Sequence, residues 1–469
     1  MKTKQIIKTM AVFFIGNALS KLISFFLLPL YTNKIDPVQY GNYDLAFSFI
    51  NLLAPLAFFQ IWDGMYRIAF DYKDNEDKKV IISNALGFSV IGIVLYLILF
   101  FIINCFFEIF YFEYVLIYGL IYGISYLYSS STRVYLSNKL FVFSGLISTL
   151  TTAIVNIVLI SGFHWDVKSI YLSATIGLLV QILIIEFRVG VIRHFKLSHI
   201  KANLLRQMVK FSIPLCIATI SYWLLSGFTK VIIQYFGGGD YANGIYAVAN
   251  KFSVFITFVV NVIQFAWNET AYLISIEEQA ERQKNYESSI NIMVIGILFG
   301  TAFFCLASKV MFPFMVDSQY YEAIYIVPIT IIGTSLNSLA SFTGTFFMAE
   351  KKTTSIWTTT LIASLVNVVG GYFCTKFFGL LGGVLTLSIS FTFLALIRII
   401  IATKMLKIKI KFGKIIIPII TLMFSIISYY LITSILITLF LLLGIIVVFA
   451  ILFRKHISKI FKLLGKRDI

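Results

Sequence analysis

Charge is scarce in this sequence. Asp, Glu, Lys and Arg make up 13% of its 469 residues, about half the share of a soluble domain, while 59% are hydrophobic and the mean hydropathy is +0.92. A soluble globule is excluded at that ratio. Histidine is just as sparse: His164, His194, His199 and His456 are dispersed through loops and the tail, so no metal or catalytic histidine cluster is expected. Cys105, Cys216, Cys305 and Cys374 are isolated and form no CxxC pair, which removes a disulfide framework and leaves them as small apolar fillers. There is no Gly-x-Ser-x-Gly elbow, no phosphate-binding Gly-x4-Gly-Lys-Ser/Thr loop and no polar insertion large enough to hold an active site. Gly237-Gly-Gly-Asp240 reads as a flexible outer turn. The chain is therefore read as a non-enzyme with no catalytic residue, no metal and no cofactor.

What is present is apolar and long. Fourteen segments of spanning length fall at about residues 10–31, 42–62, 80–103, 112–131, 141–162, 169–186, 211–235, 243–273, 289–308, 323–347, 357–376, 380–402, 415–433 and 435–453. Only helices and closed barrels satisfy a backbone in lipid, and these runs lack the period-2 alternation of strands. The fold class is all-α, a polytopic membrane protein. Lys2, Lys4 and Lys8 imitate a signal peptide, but the run behind them is too long and no small-residue cleavage site follows.

The net charge of +17 has its explanation in topology, since the basic residues are spread among short loops and do not gather into a nucleic-acid-binding domain. With both termini placed in the cytoplasm, 30 of the 38 Lys and Arg lie inside; four (Lys34, Lys168, Lys309, Lys376) lie outside and four (Lys21, Lys230, Lys251, Arg398) within spans. A basic connection at 189–210 divides an N-terminal six-helix lobe (1–188) from a second (211–403). Two further helices (415–453) and a basic tail (454–469), fit for the anionic inner leaflet, complete the chain. Gly41, Tyr43 and Ala46 match Gly244, Tyr246 and Ala249 at a shift of 203, which suggests two parallel repeats.

Polar residues inside the spans carry the functional reading. Lys21 sits near the middle of the first span, about 15 Å from either end, too deep to snorkel. A cation at that depth costs about 2.5–3.5 kcal/mol and normally faces a bundle interior or a water-filled cavity. Asn17, Ser20, Lys21 and Ser24 share one face, read as the wall of a cationic cavity. The alternative for Lys21 is an ion pair with Asp44 or Asp63. Asn250, Thr257, Asn261, Gln264 and Asn268 form a stripe, flanked by Lys251 and ended by Glu269, within about 60° of helical arc. Asn51 lies with Asp44 and Ser48 in the second span. Lys21, Lys251 and Lys230 are the candidate cavity cations; Asn17, Asn51, Asn261, Gln264 and Asn268 its polar lining; Asp44, Asp63, Arg67 and Glu269 gating or ion-pair groups. The amides could equally be interhelical glue, Lys230 could snorkel, and Arg398 reads as an interface anchor.

The first hairpin, with Ser20-Lys21, Pro29-Leu-Tyr-Thr32, Tyr40-Gly and Tyr43-Asp44-Leu45, resembles the Wzx-type polysaccharide-unit flippases of the multidrug/oligosaccharidyl-lipid/polysaccharide (MOP) exporter superfamily. The resemblance implies a two-lobed bundle that moves undecaprenyl-pyrophosphate-linked oligosaccharide across the cytoplasmic membrane by alternating access. Its implied partners are this lipid-linked substrate, membrane lipids, and polysaccharide polymerase and assembly proteins. In related peptidoglycan-precursor flippases arginines stand where this chain has Lys21, and a lysine lacks the bidentate fork for phosphate. Teichoic-acid or peptidoglycan precursor flipping and multidrug/cation antiport stay open as alternatives.

Overall fold

The computed structural model describes residues 16, 19–72, 74–107, 109–352 and 354–464, without the side chains of residues 75, 265, 266, 269 and 453–464. It is 88% helical, with no strand among the described residues. Among the described residues, nine helices are long and apolar enough to span a membrane, and two bent pairs raise the number to eleven. That count does not establish the expected fourteen. The first expected span lies partly outside the described residues, and the helix Phe112–Val134, with Glu113 at its start and Arg133 at its end, is not among the eleven. Two further expected spans follow one another in Thr354–Leu406, two helices that meet at a kink at Gly379.

The chain bends back at Gly379, whose φ of 58° and ψ of −141° suit only glycine. The return is close: a Cβ on Gly382 would lie 2.0 Å from the carbonyl oxygen of Cys374.

By packing, the chain forms two compact units. The first comprises Met1–Ala247 and Thr360–Gly383, the second Val248–Thr359 and Val384–Ile469. These limits fall elsewhere than at the 189–210 connection.

In the first unit, residues 19–26 lead into α1 (Leu28–Lys34), followed by α2 (Pro37–Ala57), α3 (Ile61–Ala69), α4 (Asn75–Phe107), α5 (Phe112–Val134), α6 (Asn138–Ile157), α7 (Lys168–Val189), α8 (Ala202–Ser226), α9 (Phe228–Phe236) and most of α10 (Gly239–Phe252). Its core has one cluster around Met65, Ile82, Leu127 and Met208 and another around Phe58, Trp62, Tyr96 and Tyr118.

The second span is broken. Pro55 cannot donate within α2, Phe59 and Gln60 take left-handed backbone angles, and α3 leaves at 52° to α2. Freed groups at such a break must find partners when no water is near. Here α8 supplies one: Ser212 Oγ donates to the Gln60 carbonyl at 3.0 Å, while the Gln60 backbone N–H donates to the Pro55 carbonyl at 2.9 Å; the Gln60 side-chain amide donates to Thr219 Oγ1 at 2.6 Å.

The second unit holds the end of α10, α11 (Val254–Ser275), α12 (Gln279–Met315), α13 (Ala323–Ala349), the outer parts of α14 (Thr354–Leu406), α15 (Phe412–Leu431) and α16 (Ile435–Leu464). Trp267, Tyr286, Phe342 and Phe346 centre its core. Along α16 the large apolar side chains face outward, with Phe440 72% exposed, as a lipid-facing helix requires. Lys309 donates to the carbonyls of Tyr429 and Ile432, fastening the end of α15 to α12. Arg398 is not an interface anchor. It is 6% exposed and donates to Thr359 Oγ1 and to the carbonyls of Ala340 and Ile356, joining α13 and both ends of α14.

Candidate functional site

The first unit holds a cavity of about 530 Å³ whose walls come from Gly16 and Ser20, ahead of α1, and from α3, α5, α6 and α7. The break at Phe59–Gln60 positions it: α3 restarts there, and its first turn presents Trp62 and Asp63 to the space. A carboxylate in the first turn of a helix is favoured by the helix dipole. Arg133, at the end of α5, brings the opposite charge to the same cavity.

Hydroxyls and aromatic rings complete the wall. Trp62 stacks on Tyr126 with centroids 5.1 Å apart and planes at 23°, and Tyr122 meets Tyr126 edge to face. The Tyr122 hydroxyl donates to Asn51 Oδ1 at 2.8 Å, Gln181 donates to Ser129 Oγ at 3.1 Å, and Thr149 donates to Ser20 Oγ at 3.1 Å. Gly16 and Ser20 place the first helix against α6; a Cβ on Gly16 would lie 2.3 Å from Val142 Cγ1. Tyr126, 41% exposed and backed by the buried Trp62, offers a ring among side chains that both donate and accept, a combination that suits a sugar: pyranose C–H groups pack on aromatic rings and hydroxyls reach the polar rim.

The expected site residues distribute unevenly around this cavity. Asp63 lies in its wall and Asn51 reaches it through Tyr122. Lys21 follows Ser20 on the same helix, half buried and without an ion pair among the described residues, and it is not in the wall. Lys230 is held by Asp44 at 2.8 Å, with the two side chains 13% and 17% exposed, and it also donates to the Asp44 carbonyl at 3.2 Å. Asp44 therefore pairs with Lys230, not with Lys21. Arg67 pairs with Asp71 at 3.0 Å on an exposed turn, away from Asp63. Asn17 and the side chain of Glu269 lie outside the described residues.

In the second unit, Gln264 donates to Asn268 Oδ1 at 2.8 Å and to Thr345 Oγ1 at 2.7 Å, while Thr345 donates to Asn268 at 3.0 Å. This is a clasp between α11 and α13, the structural alternative for those amides. Asn261 is exposed and Lys251 half buried. Beside the clasp runs an apolar cavity of about 810 Å³ between α11, α12 and α16, lined by Val260, Ile263, Trp267, Phe303, Ile445 and Phe449 among others. Gly296 and Gly300 leave its α12 side open, since a Cβ on either meets nothing within 4 Å. No group of three His, Cys, Asp or Glu fit to hold a metal occurs among the described residues.

Trp62, Tyr122, Tyr126, Ser129, Gln181 and Arg133 escaped the sequence reading. The signal was there, in the run Tyr122-Gly-Ile-Ser-Tyr-Leu-Tyr-Ser-Ser-Ser-Thr-Arg133, where hydroxyls crowd a helix that should have been greasy.

Residues 6–267 match the family profile described as "Polysaccharide biosynthesis protein". No curated protein sequence gives a significant match. Among solved structures, an inward-facing multidrug resistance MATE family transporter of the MOP superfamily superposes with a TM-score of 0.71 at 14% identity, covering 82% of this chain and 94% of that one. A MOP superfamily transporter from Pyrococcus furiosus gives 0.61 at 15%, covering 86% and 95%. The lipid II flippase MurJ in an inward closed conformation gives 0.63 at 17%, covering 96% and 100%. At these identities the likeness is one of fold.

Proposed function

Because the chain belongs to the polysaccharide biosynthesis protein family and has the fold of MOP superfamily transporters, we propose that it is a flippase for lipid-linked oligosaccharide repeat units. The family and its structural neighbours are transporters and flippases, not enzymes. The observation that carries the proposal is the first-unit cavity, a sugar-sized space of rings, hydroxyls and amides inside helices that belong in a membrane.

A glycan on a polyprenyl diphosphate has three parts, and each meets its own chemistry here. The sugars are bound by Trp62, Tyr122, Tyr126 and Gln181. The diphosphate is drawn by Lys21, whose ammonium has no carboxylate engaged among the described residues; Lys251 is kept as a further candidate cation. Without such cations a diphosphate would face the full cost of leaving water. The lipid tail suits the cavity along α16, whose lining is mostly apolar. Lys230 and Asp44 hold helices together and leave the cargo to others. The reading keeps two six-helix lobes, 1–188 and 211–403, joined through 189–210, with the last two helices (415–453) serving the tail. It also keeps both termini and the basic tail (454–469) in the cytoplasm, and the protein in the cytoplasmic membrane. Glu269, Asp63 and Arg67 are left as candidate gating groups, and polymerase and assembly proteins as candidate partners.

A cation antiporter is the second reading, favoured by Asp63 in the cavity wall; Arg133 in the same wall offsets that charge. Deletion followed by complementation separates the two. Flipping predicts that a lipid-linked glycan accumulates on the inner face and disappears when the wild-type chain is restored. Unchanged lipid-linked glycan pools together with restored drug efflux would overturn it.

A further inference from the structure

A second polar pocket, of about 880 Å³, lies in the first unit where the first turns of α4, the turn between α5 and α6 with the start of α6, and the end of α7 with the turn after it meet. It contains none of the residues of the cavity described above. Three cations line it, Lys79, Lys139 and Arg188, against one carboxylate, Glu76. Glu76 is already engaged: Lys79 donates to it at 2.6 Å and holds its carboxyl below the usual range. Lys139 and Arg188 have no ion pair among the described residues.

Two buried polar atoms in the same pocket lack a hydrogen-bond partner, the hydroxyl of Tyr135 and Nδ1 of His194. Burial raises the Tyr135 phenol above its ordinary value, so it stays a neutral donor. A buried donor left unmatched costs about 1–3 kcal/mol, a cost an oxygen-rich ligand would remove. Leu140, Phe143 and Ile184 line the pocket as well, and Phe143 is 56% exposed. Cations and an unmatched hydroxyl beside apolar side chains on one surface describe an amphiphile, with an anionic oxygen-bearing head and a hydrocarbon part.

We propose that this pocket holds the phosphate headgroup of an anionic membrane lipid. Lys139 and Arg188 supply the charge, Tyr135 a hydrogen bond, and Leu140 and Phe143 the contact with the first carbons of the chain. The site is independent of what the protein transports. It would be kept even if the flippase reading failed.

The test is native mass spectrometry of the purified full-length protein, titrated with phosphatidylglycerol, phosphatidylcholine or inorganic phosphate. Loss of two surface cations should weaken phosphatidylglycerol binding by about 30-fold in the Lys139→Gln/Arg188→Gln variant. Arg206→Gln/Lys210→Gln, which removes the same charge elsewhere, should change it by less than about twofold. Equal binding by the pocket variant overturns the proposal. So does saturation by inorganic phosphate with no preference for the lipid, which would make the ligand a soluble anion. Should the double variant fail to fold, Tyr135→Phe decides: about threefold weaker lipid binding supports the site, and unchanged binding overturns it.

Discussion

Gly41 and Gly244 touch each other's helices in a reciprocal way. A Cβ on Gly41 would lie 1.8 Å from the carbonyl oxygen of Asp240, and a Cβ on Gly244 would lie 1.9 Å from the carbonyl oxygen of Pro37. Gly41 and Gly244 are 203 positions apart, and so are Pro37 and Asp240. Each residue of the first helix thus meets the counterpart of its partner on the second, the pattern of a local two-fold axis between α2 and α10.

Neither glycine can accept a methyl group without the backbones separating. Gly41→Ala and Gly244→Ala should each destabilise the protein by about 1–3 kcal/mol or more, seen as a lower melting temperature in detergent and reduced yield. Gly296→Ala is the control. Its Cβ meets open space, so the substitution should be neutral or stabilising by about 0.5–1 kcal/mol. Equal melting temperatures for Gly41→Ala and wild type would mean that the crossing is looser than drawn.

Lys230 and Asp44 should be worth more together than apart. Replacing one alone, as in Lys230→Met or Asp44→Leu, strands a charge that is less than one-fifth exposed and should cost about 3 kcal/mol. The double replacement should recover most of that loss. A double-mutant cycle on unfolding reads the coupling directly, and additive effects would show that the pair contributes no coupling.

Lys21 is expected to behave differently, because no partner suffers when it is removed. Lys21→Ala should abolish transport with a normal protein level, and Lys21→Cys should react with a membrane-impermeant thiol reagent in at least one state. Full activity of the alanine variant, or a cysteine shielded in every state, would remove Lys21 from the site.

Tyr122→Phe keeps the ring and deletes the hydrogen bond to Asn51, so it should weaken glycan handling by about five- to tenfold, the worth of one buried hydrogen bond. Trp62→Ala should do more, since it removes a stacking face as well. Transport assayed as the outward appearance of labelled lipid-linked glycan checks both. Wild-type rates in both variants would empty the cavity of its proposed cargo.

The helices were legible in the sequence because lipid permits so few alternatives: a long apolar run has little choice but to coil. The shift of 203 was legible too, although only the packing shows that its two glycines meet. The break at Gln60 was not. A proline at 55 is compatible with a bend, yet the Gln60 carbonyl that the left-handed turn frees is met by Ser212, about 150 residues further on. Depth along a helix suggested that Lys230 could reach water; it could not reveal that Asp44 waits across the gap at 2.8 Å. The tyrosines of 122–128 carry no mark of a cavity wall, because composition cannot tell an inward ring from an outward one. Arg398 was misplaced for the same reason: its acceptors are backbone carbonyls, which leave no mark in a sequence.

The Lys309 ammonium ends on the carbonyls of Tyr429 and Ile432, where a helix has acceptors it cannot use itself. A helix end secured in this way is anchored at its rim as well as along its flank. The α15 helix is thereby a fixture of the unit it joins, and cutting away the chain from α15 onward would strip α12 of a wall and leave a lysine with nothing to hold.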